Sequence, residues 1–338
     1  MSEYKSIAII YGSDTTEWEV SCRSGEFVAS RLDGSKWDVY EIFARFGSWS
    51  LVAYKKKNAM RVTFPEGARP QVDKTDFSIS VLGQKVKFDY AYVVQHGAPG
   101  ENGLLQGYLE MLGVPYSSCS AFVNTVAFDK YSCKCYIKEQ NVVKCAPDAF
   151  VREGMDLQAF AQTVSETLQY PVFVKPTQAG SSFGITRVSE ASELIPAINY
   201  AFGENPTVLV EQGVRGRELT CAVYLDGGKP VALPVIEIVT HNDYFDYDAK
   251  YNGKSEEVCP AQISDELREK VQQTSCEIYS RLGCKGVGRI DYISAEDGLY
   301  FLEVNTIPGM TSASLVPKMV AAAGLDMTDW LSTIIENS

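Results

Sequence analysis

Apolar and polar positions along the first hundred residues alternate between two textures. "SIAIIYG" at 6–12 is a β-branched run closed by glycine, and the following "DTTEWEVSCRSGEFVASRL" spaces Val20, Phe27, Val28 and Leu32 as one face of a helix. "WDVYEIF" at 37–43 and "FDYAYVVQHG" at 88–97 repeat the strand texture, and "GLLQGYLEMLG" restores the helical one after a glycine-rich loop. Strands that alternate with helices and end in glycine-bearing loops predict an open parallel α/β sheet, whose ligands gather at the carboxyl ends of the strands. Residues 45–87, with "SLVAYKKKNAMRVTF" and "FSISVLGQKVKF", predict hairpins inserted on that sheet.

From about residue 118 the pattern changes. A helix in "FDKYSCKCYIKEQ" is followed by the strands "DAFVR", "PVFVKP", "TRVS" and "TVLVEQ", then by "ELTCAVYLDGGKPVALPVIEIV", which predicts a mixed α+β unit of antiparallel character. Residues 240–262 are polar and aromatic without periodicity, the signature of a long loop that serves as a lid or binding segment. The chain closes with the helix "DELREKVQQTSCEIYSRLG", the strands "GVGRIDYIS" and "LYFLEVN", and a terminal helix.

Composition narrows the classes. A chain of 338 residues, 45% hydrophobic and 22% charged, has room for two or three domains around sizeable cores. Its net charge of -12 argues against a general affinity for nucleic acid or anionic membranes, so any phosphate must be met by locally placed lysines. Nine cysteines, an odd count in a long chain whose start reads as a buried strand rather than a signal sequence, fit reduced thiols in a cytoplasm. "CKC" at 133–135 is too tight for ordinary zinc spacing, and only His96 and His241 offer imidazoles, which argues against a structural zinc.

The chemistry concentrates in a few segments. "VKPTQAGSSFGITRV" ends a strand with Lys175 and then supplies Gly180, Ser181, Ser182 and Gly184, small residues whose amides and hydroxyls suit phosphate oxygens; a plain hairpin turn is the alternative. Lys130 and Lys134 lie one helical turn apart and could face one anion, although solvated lysines are the default. Glu211 and Glu218 in "VLVEQGVRGREL" suit an adenine amino group and ribose hydroxyls, or are simply solvated. In "GRIDYISAEDGLYFLEVNTIPG", Asp291 on one strand and Glu303 with Asn305 two residues apart on the next offer hard oxygen donors on one strand face, which suits magnesium beside phosphate. Arg289 either holds a developing oxyanion or neutralises these acids. His96 and Glu101 lie in a loop at a strand end, where the imidazole could orient a substrate. Glu17 at another strand end could bind an ammonium, or stabilise a helix N-terminus.

In this order, "EWEVS", "HGAPGENGLLQGYLEMLGVPY", "FDKYSCK", "PVFVKPTQAGSSFG", "VLVEQGVRGREL", "YDAKY", "GRIDY" and "FLEVNTIPGMTSASLVP" closely resemble the D-alanine:D-alanine ligases of the ATP-grasp superfamily, over nearly the whole chain. The resemblance implies an ATP-grasp fold preceded by an N-terminal open parallel α/β domain at 1–120. A central subdomain with the phosphate loop follows at 121–213, and a C-terminal subdomain with the metal site and the 240–262 lid at 214–338. It further implies ATP and two Mg2+ ions, with Mn2+ as a substitute. Lys130, Lys175 and Ser182 would meet the phosphates, Glu211 and Glu218 the nucleoside, and Asp291, Glu303 and Asn305 the metal. Glu17, Val20 and His96 match the first D-alanine pocket, and Arg289, Gly309, Ser314 and Leu315 the second with its oxyanion region. Ser181 belongs to the mobile loop, and Tyr251, bonded through Ser181 to Glu17, matches the alanine-using rather than the lactate-using members.

The implied reaction is ATP-dependent coupling of two D-alanines through a D-alanyl phosphate, for peptidoglycan precursors and hence cell wall and cell shape. The implied protein is a cytoplasmic homodimer with small-molecule substrates and no nucleic-acid or membrane partner. Three positions depart from the family pattern: Ser13 replaces a glycine, Asn102 turns "GEDG" into "GENG", and Gly213 stands where a bulky residue packs near adenine. A carboxylate–amine ligase of other acceptor specificity, including D-lactate or D-serine, and a nucleotide-binding regulatory protein without turnover are the competing readings.

Overall fold

The computed structural model describes residues 4–180, 183–240 and 255–338. The expected site residues Ser181, Ser182 and Tyr251 lie outside that set.

The N-terminal strands are β1 (Ser6–Tyr11), β2 (Asp38–Arg45), β3 (Ser48–Lys55), β4 (Arg61–Thr63), β5 (Val72–Asp73), β6 (Ser78–Val81), β7 (Gln84–Lys87) and β8 (Tyr90–Val93). They form a sheet in the order β4-β3-β2-β1-β8 and a small one in the order β5-β6-β7. β1 pairs in parallel with β2 and β8. It is apolar throughout because it is covered on both faces: Ile7, Ile9 and Tyr11 enter one core while Ala8 and Ile10 enter another. β3, β4 and the β6–β7 hairpin are antiparallel additions, as expected for residues 45–87.

Helix α1 (Trp18–Arg31) packs on β1 with Val28, and Leu32 just past its end, buried as the apolar spacing suggested, but small residues share the contact face. Its buried residues are Ser21, Ser24, Gly25 and Val28, while Val20 is only half-buried. The reason is close approach, since a Cβ on Gly25 would fall 2.2 Å from the Tyr11 ring. Small residues therefore define the contact face, and this brings Ser24 deep into the molecule.

α2 (Leu104–Met111) precedes two helices, α3 (Ala121–Phe128) and α4 (Lys130–Gln140). α3 was not expected. Ser120 starts it by accepting from the Val123 N–H, and Asp129 starts α4 by accepting from the Ser132 N–H. β9 (Lys144–Cys145), β10 (Asp148–Arg152), α5 (Leu157–Thr167), β11 (Val172–Pro176), β12 (Thr186–Val188), α6 (Ala191–Phe202) and β13 (Thr207–Gln212) follow. Of these strands, four form an antiparallel sheet in the order β10-β13-β11-β12 with its own core. β9 instead pairs in parallel with a strand near the C-terminus.

The last group comprises β14 (Arg217–Asp226), β15 (Lys229–Ala232), β16 (Ile236–Thr240), β17 (Ser255–Val258), α7 (Asp265–Leu282), β18 (Val287–Ala295), β19 (Gly298–Asn305), α8 (Leu315–Ala322) and α9 (Met327–Glu336). The sheet runs β17-β16-β14-β18-β19-β9, with β15 paired to β14. Val123, Ala127, Cys133 and Ile137 of α3 and α4 share one core with β14, β18, β19 and α7. β16 ends at Thr240, and β17, paired with it, falls inside the expected 240–262 loop; residues 241–254 are outside the described set. All nine cysteines are free. Among the described residues no helix is long and apolar enough to cross a membrane.

Candidate active site

β18 and β19 lie antiparallel with Asp291 opposite Glu303 and Arg289 opposite Asn305. Strand periodicity puts these four side chains on one face. Arg289 grips Asp291 with two bonds, Nε to Oδ1 at 2.9 Å and Nη2 to Oδ2 at 2.8 Å. Asn305 Nδ2 donates to Asp291 Oδ2 at 3.0 Å, and the Thr220 hydroxyl from β14 donates to Oδ1. Burial alone would lower the Arg289 pKa, but Asp291, with Glu303 and Glu101 behind it, holds it above its ordinary value. Lys130, at the start of α4, points its ammonium at Glu303 Oε2 (3.4 Å) and at the carbonyl of Ala179 (2.9 Å). The Ala179 bond brings the 174–188 loop to the acids.

That loop also reaches the N-terminal sheet. Gly180 sits against Glu17 so closely that a Cβ there would fall 2.4 Å from Oε2. Glu17 is the N-cap residue of α1, yet its side chain makes no capping bond. Its carboxylate bears instead on Glu101 and His96.

His96 is buried, and both ring nitrogens are engaged. Nδ1 lies 3.0 Å from the Ile307 carbonyl and Nε2 2.9 Å from Ser24 Oγ. A carbonyl only accepts, so Nδ1 carries the proton and Ser24 donates to Nε2. Burial holds the imidazole pKa below 6.5, with Glu17 opposing and Arg289 reinforcing that shift. His96 is therefore neutral near pH 7.

Glu101 accepts from the Gly97 N–H at 3.1 Å. Burial first, then the Glu17 charge, raises its carboxyl from 4.5 to about 8. A folded state that binds this proton more tightly than the unfolded chain gains stability that is full below pH 4.5 and lost as pH rises to about 8. Glu101→Gln, which keeps the neutral shape, should therefore gain on the parent by up to about 4 kcal/mol between pH 5 and 8. Denaturant midpoints of both proteins across that range test this, and parallel curves would refute it.

Glu211 and Asp148 face each other across β10 and β13. Lys134, only 2% exposed, bonds to Glu211 Oε1 and to Asp148 Oδ2, the latter at 2.9 Å, while Lys175 takes Glu211 Oε2 at 2.6 Å. Burial would raise the Glu211 pKa; Lys175 and Lys134 outweigh it and hold the carboxyl below its usual range. Lys130 and Lys134 thus do not share an anion: one meets Glu303 and the other is a buried counterion. Glu218 on β14 is half-buried, in register between Ile238 and Ile293.

After β19 the chain runs through Thr306–Met310 to Ser314, the N-cap of α8, with Leu315 its first residue. Ser314 Oγ accepts from the Thr311 N–H at 3.0 Å, and a Cβ on Gly309 would fall 2.9 Å from that oxygen. Small residues here let the chain fold tightly against a helix N-terminus, which suits a carboxylate.

Arg289, Asp291, Glu303, Asn305 and Lys130 are therefore in one cluster, Glu17 and His96 border it, and Lys175 with Glu211 forms a neighbouring pair on the four-stranded sheet. Ser24 and Thr220 were not among the expected site residues, and Lys134, weighed as an anion partner, is instead a counterion to two buried acids. For Ser24 and Thr220 the signal is tertiary: Thr220 stands opposite Asp291 in the β14–β18 register, and Ser24 meets residues beyond 300. For the metal, the donors are two carboxylates and an amide, all oxygen-bearing. Among the described residues no group of three His, Cys, Asp or Glu could cage an ion. Hard oxygen donors of this kind are the type that magnesium takes together with waters and phosphate oxygens.

Two family models match, D-ala D-ala ligase N-terminus over residues 6–119 and D-ala D-ala ligase C-terminus over residues 141–336. The D-alanine–D-alanine ligase of Parabacteroides distasonis is 43% identical over 98% of this chain and 97% of its own. That of Bacteroides thetaiotaomicron is 43% identical over 98% and 99%. Among solved structures, the VanG D-Ala:D-Ser ligase from Enterococcus faecalis superposes with a TM-score of 0.86 at 31% identity, covering 98% of this chain and 99% of that one. The Bacillus anthracis D-alanine–D-alanine ligase complexed with ATP gives 0.74 at 28%, covering 98% and 96%. With both terminal models matched and relatives aligned from end to end, this chain belongs to the D-alanine–D-alanine ligase family.

Proposed function

We propose that the protein joins two D-alanines in an ATP-dependent reaction, giving D-alanyl-D-alanine for peptidoglycan precursors in the cytoplasm. The carrying observation is the Arg289–Asp291–Glu303–Asn305–Lys130 cluster beside a neutral, buried His96 and a tight Thr306–Ser314 turn.

A carboxylate is a poor acyl donor, so the first D-alanine is activated as an acyl phosphate and the amine of the second displaces phosphate. Glu17 and His96, with Val20 beside them, border the pocket for the first substrate. Lys130 and Lys175 bring positive charge to the triphosphate, and Glu211 and Glu218 line the nucleoside end. Arg289 and the Gly309 N–H stabilise the oxyanion of the tetrahedral intermediate, and Ser314 with Leu315 at the α8 N-terminus receives the second carboxylate. Asp291, Glu303 and Asn305 would hold two Mg2+ or Mn2+ ions, which when bound neutralise phosphate charge.

Three units follow from the same reading: an N-terminal substrate unit to about 120, a central unit with the phosphate loop, and a C-terminal unit with the metal ligands. A homodimer as the working form follows from the family resemblance alone.

The test is phosphate release with ATP, magnesium and D-alanine, L-alanine, or D-alanine with D-lactate or D-serine, the product identified by mass. D-alanyl-D-alanine from D-alanine alone is the expected outcome. Turnover only with D-serine or D-lactate as acceptor would reassign the specificity, and ATP binding without turnover would sink the ligase reading.

A further inference from the structure

Ser24 lies on α1, fully buried, 286 residues from its partner Met310. Its Oγ accepts from the Met310 N–H at 3.2 Å and donates to His96 Nε2 at 2.9 Å. His96 in turn donates from Nδ1 to the Ile307 carbonyl at 3.0 Å. Ile307 and Met310 bracket Gly309, and both are buried. The turn that carries Gly309 is thus fastened at both shoulders to the N-terminal unit, through one hydroxyl and one imidazole.

We propose that Ser24 is a positioning residue for the coupling step, fixing the His96 ring in place through Nε2 and holding the Ile307–Met310 turn so that the Gly309 N–H meets the developing oxyanion. The role rests on the ligase reading of the site. Ser24 needs no contact with substrate to act. A hydroxyl is required because the position must accept from an amide on one side and donate to an imidazole on the other, which alanine cannot do. The charged groups facing His96 are Glu17 from the start of α1 and Arg289 from β18, while Ile307 and Ser24 supply its neutral partners. An oxyanion donor displaced by about 1 Å loses on the order of 100-fold in rate.

Nuclear magnetic resonance of 15N-histidine-labelled protein is readable because the chain holds only His96 and His241, and a His241→Gln sample assigns the two. The expected result is a His96 ring protonated on Nδ1 and still neutral at pH 6.5; a ring protonated on Nε2 would overturn the relay. In Ser24→Ala the Nε2 resonance should shift and kcat should fall roughly 10- to 100-fold, with KM for ATP within about twofold. Ser24→Cys, of similar volume with a weak donor and acceptor, should fall between the two. An alanine variant with the parent's kcat, or a cysteine variant worse than alanine, would reduce Ser24 to packing and end the proposal. No dipeptide from the unaltered enzyme would instead overturn the ligase reading, while the tautomer would still decide whether the relay exists.

Discussion

Replacing Arg289 with alanine should lower dipeptide formation by about 10³-fold while changing the dissociation constant for ATP by less than about threefold. The size of the effect comes from two losses at once. The oxyanion loses its cation, and Asp291 loses a two-bond partner, keeping only Thr220 and Asn305. The local charge also turns negative, because Glu17 and Glu303 lie near the same point, while Glu101 is held protonated by its burial. Lysine should not restore activity, since an ammonium cannot reproduce the planar two-bond grip. Retained ATP affinity would show that the variant is folded. Lost nucleotide binding with intact coupling would contradict the assignment of Arg289 to the coupling step.

Lys134→Met should destabilise the protein by about 3 kcal/mol and weaken ATP binding by roughly tenfold. Two buried carboxylates face each other across β10 and β13, and Lys134 bonds to both. Glu211 would keep Lys175 and Asp148 would keep Lys138, so the sheet should survive, but with each acid short of one partner. Adding Asp148→Asn should recover part of the loss, a coupling of at least about 1 kcal/mol. Denaturant unfolding of the parent, the two single variants and the double variant reads this directly. Strictly additive effects would mean that the ion pairs contribute nothing beyond packing.

The sequence disclosed those parts of the fold whose cause is local. β10 and β13 coincide with the expected "DAFVR" and "TVLVEQ", because β-branched runs bounded by breakers carry their own signal. α3 escaped because "AFVNTVAF" lacks an apolar stripe: it is buried by packing between α2 and α4 rather than by amphipathic spacing. The grouping of Asp291, Glu303 and Asn305 was legible because a strand keeps residues two apart on one face. Lys134 was weighed as a solvated lysine because nothing along α4 announces that β10 and β13 will set two acids beside it. Ser24 and Thr220 were silent for the same reason: a hydroxyl has no meaning in sequence until the fold chooses its partners. The resemblance to a family supplied residue roles that spacing alone left open, notably Gly309, Ser314 and Leu315.

β9 ties the end of α4 to the C-terminal sheet. Because Lys144 and Cys145 pair with β19, the four-stranded sheet begins only after them and is joined to the rest through residues 146–147 on one side and 213–216 on the other. Both crossings lie beside the Lys134 ion pairs and the stacked Tyr131 and Phe150, whose ring centres are 4.4 Å apart. The four-stranded sheet is thus held at two places by different charges. At the crossings stand Lys134 and its two acids, and at the β11–β12 connection, from Thr177 to Gly180, stand Lys130 and Glu17. A substitution at Lys130 would therefore loosen the β11–β12 end of the sheet while leaving the Lys134 ion pairs in place.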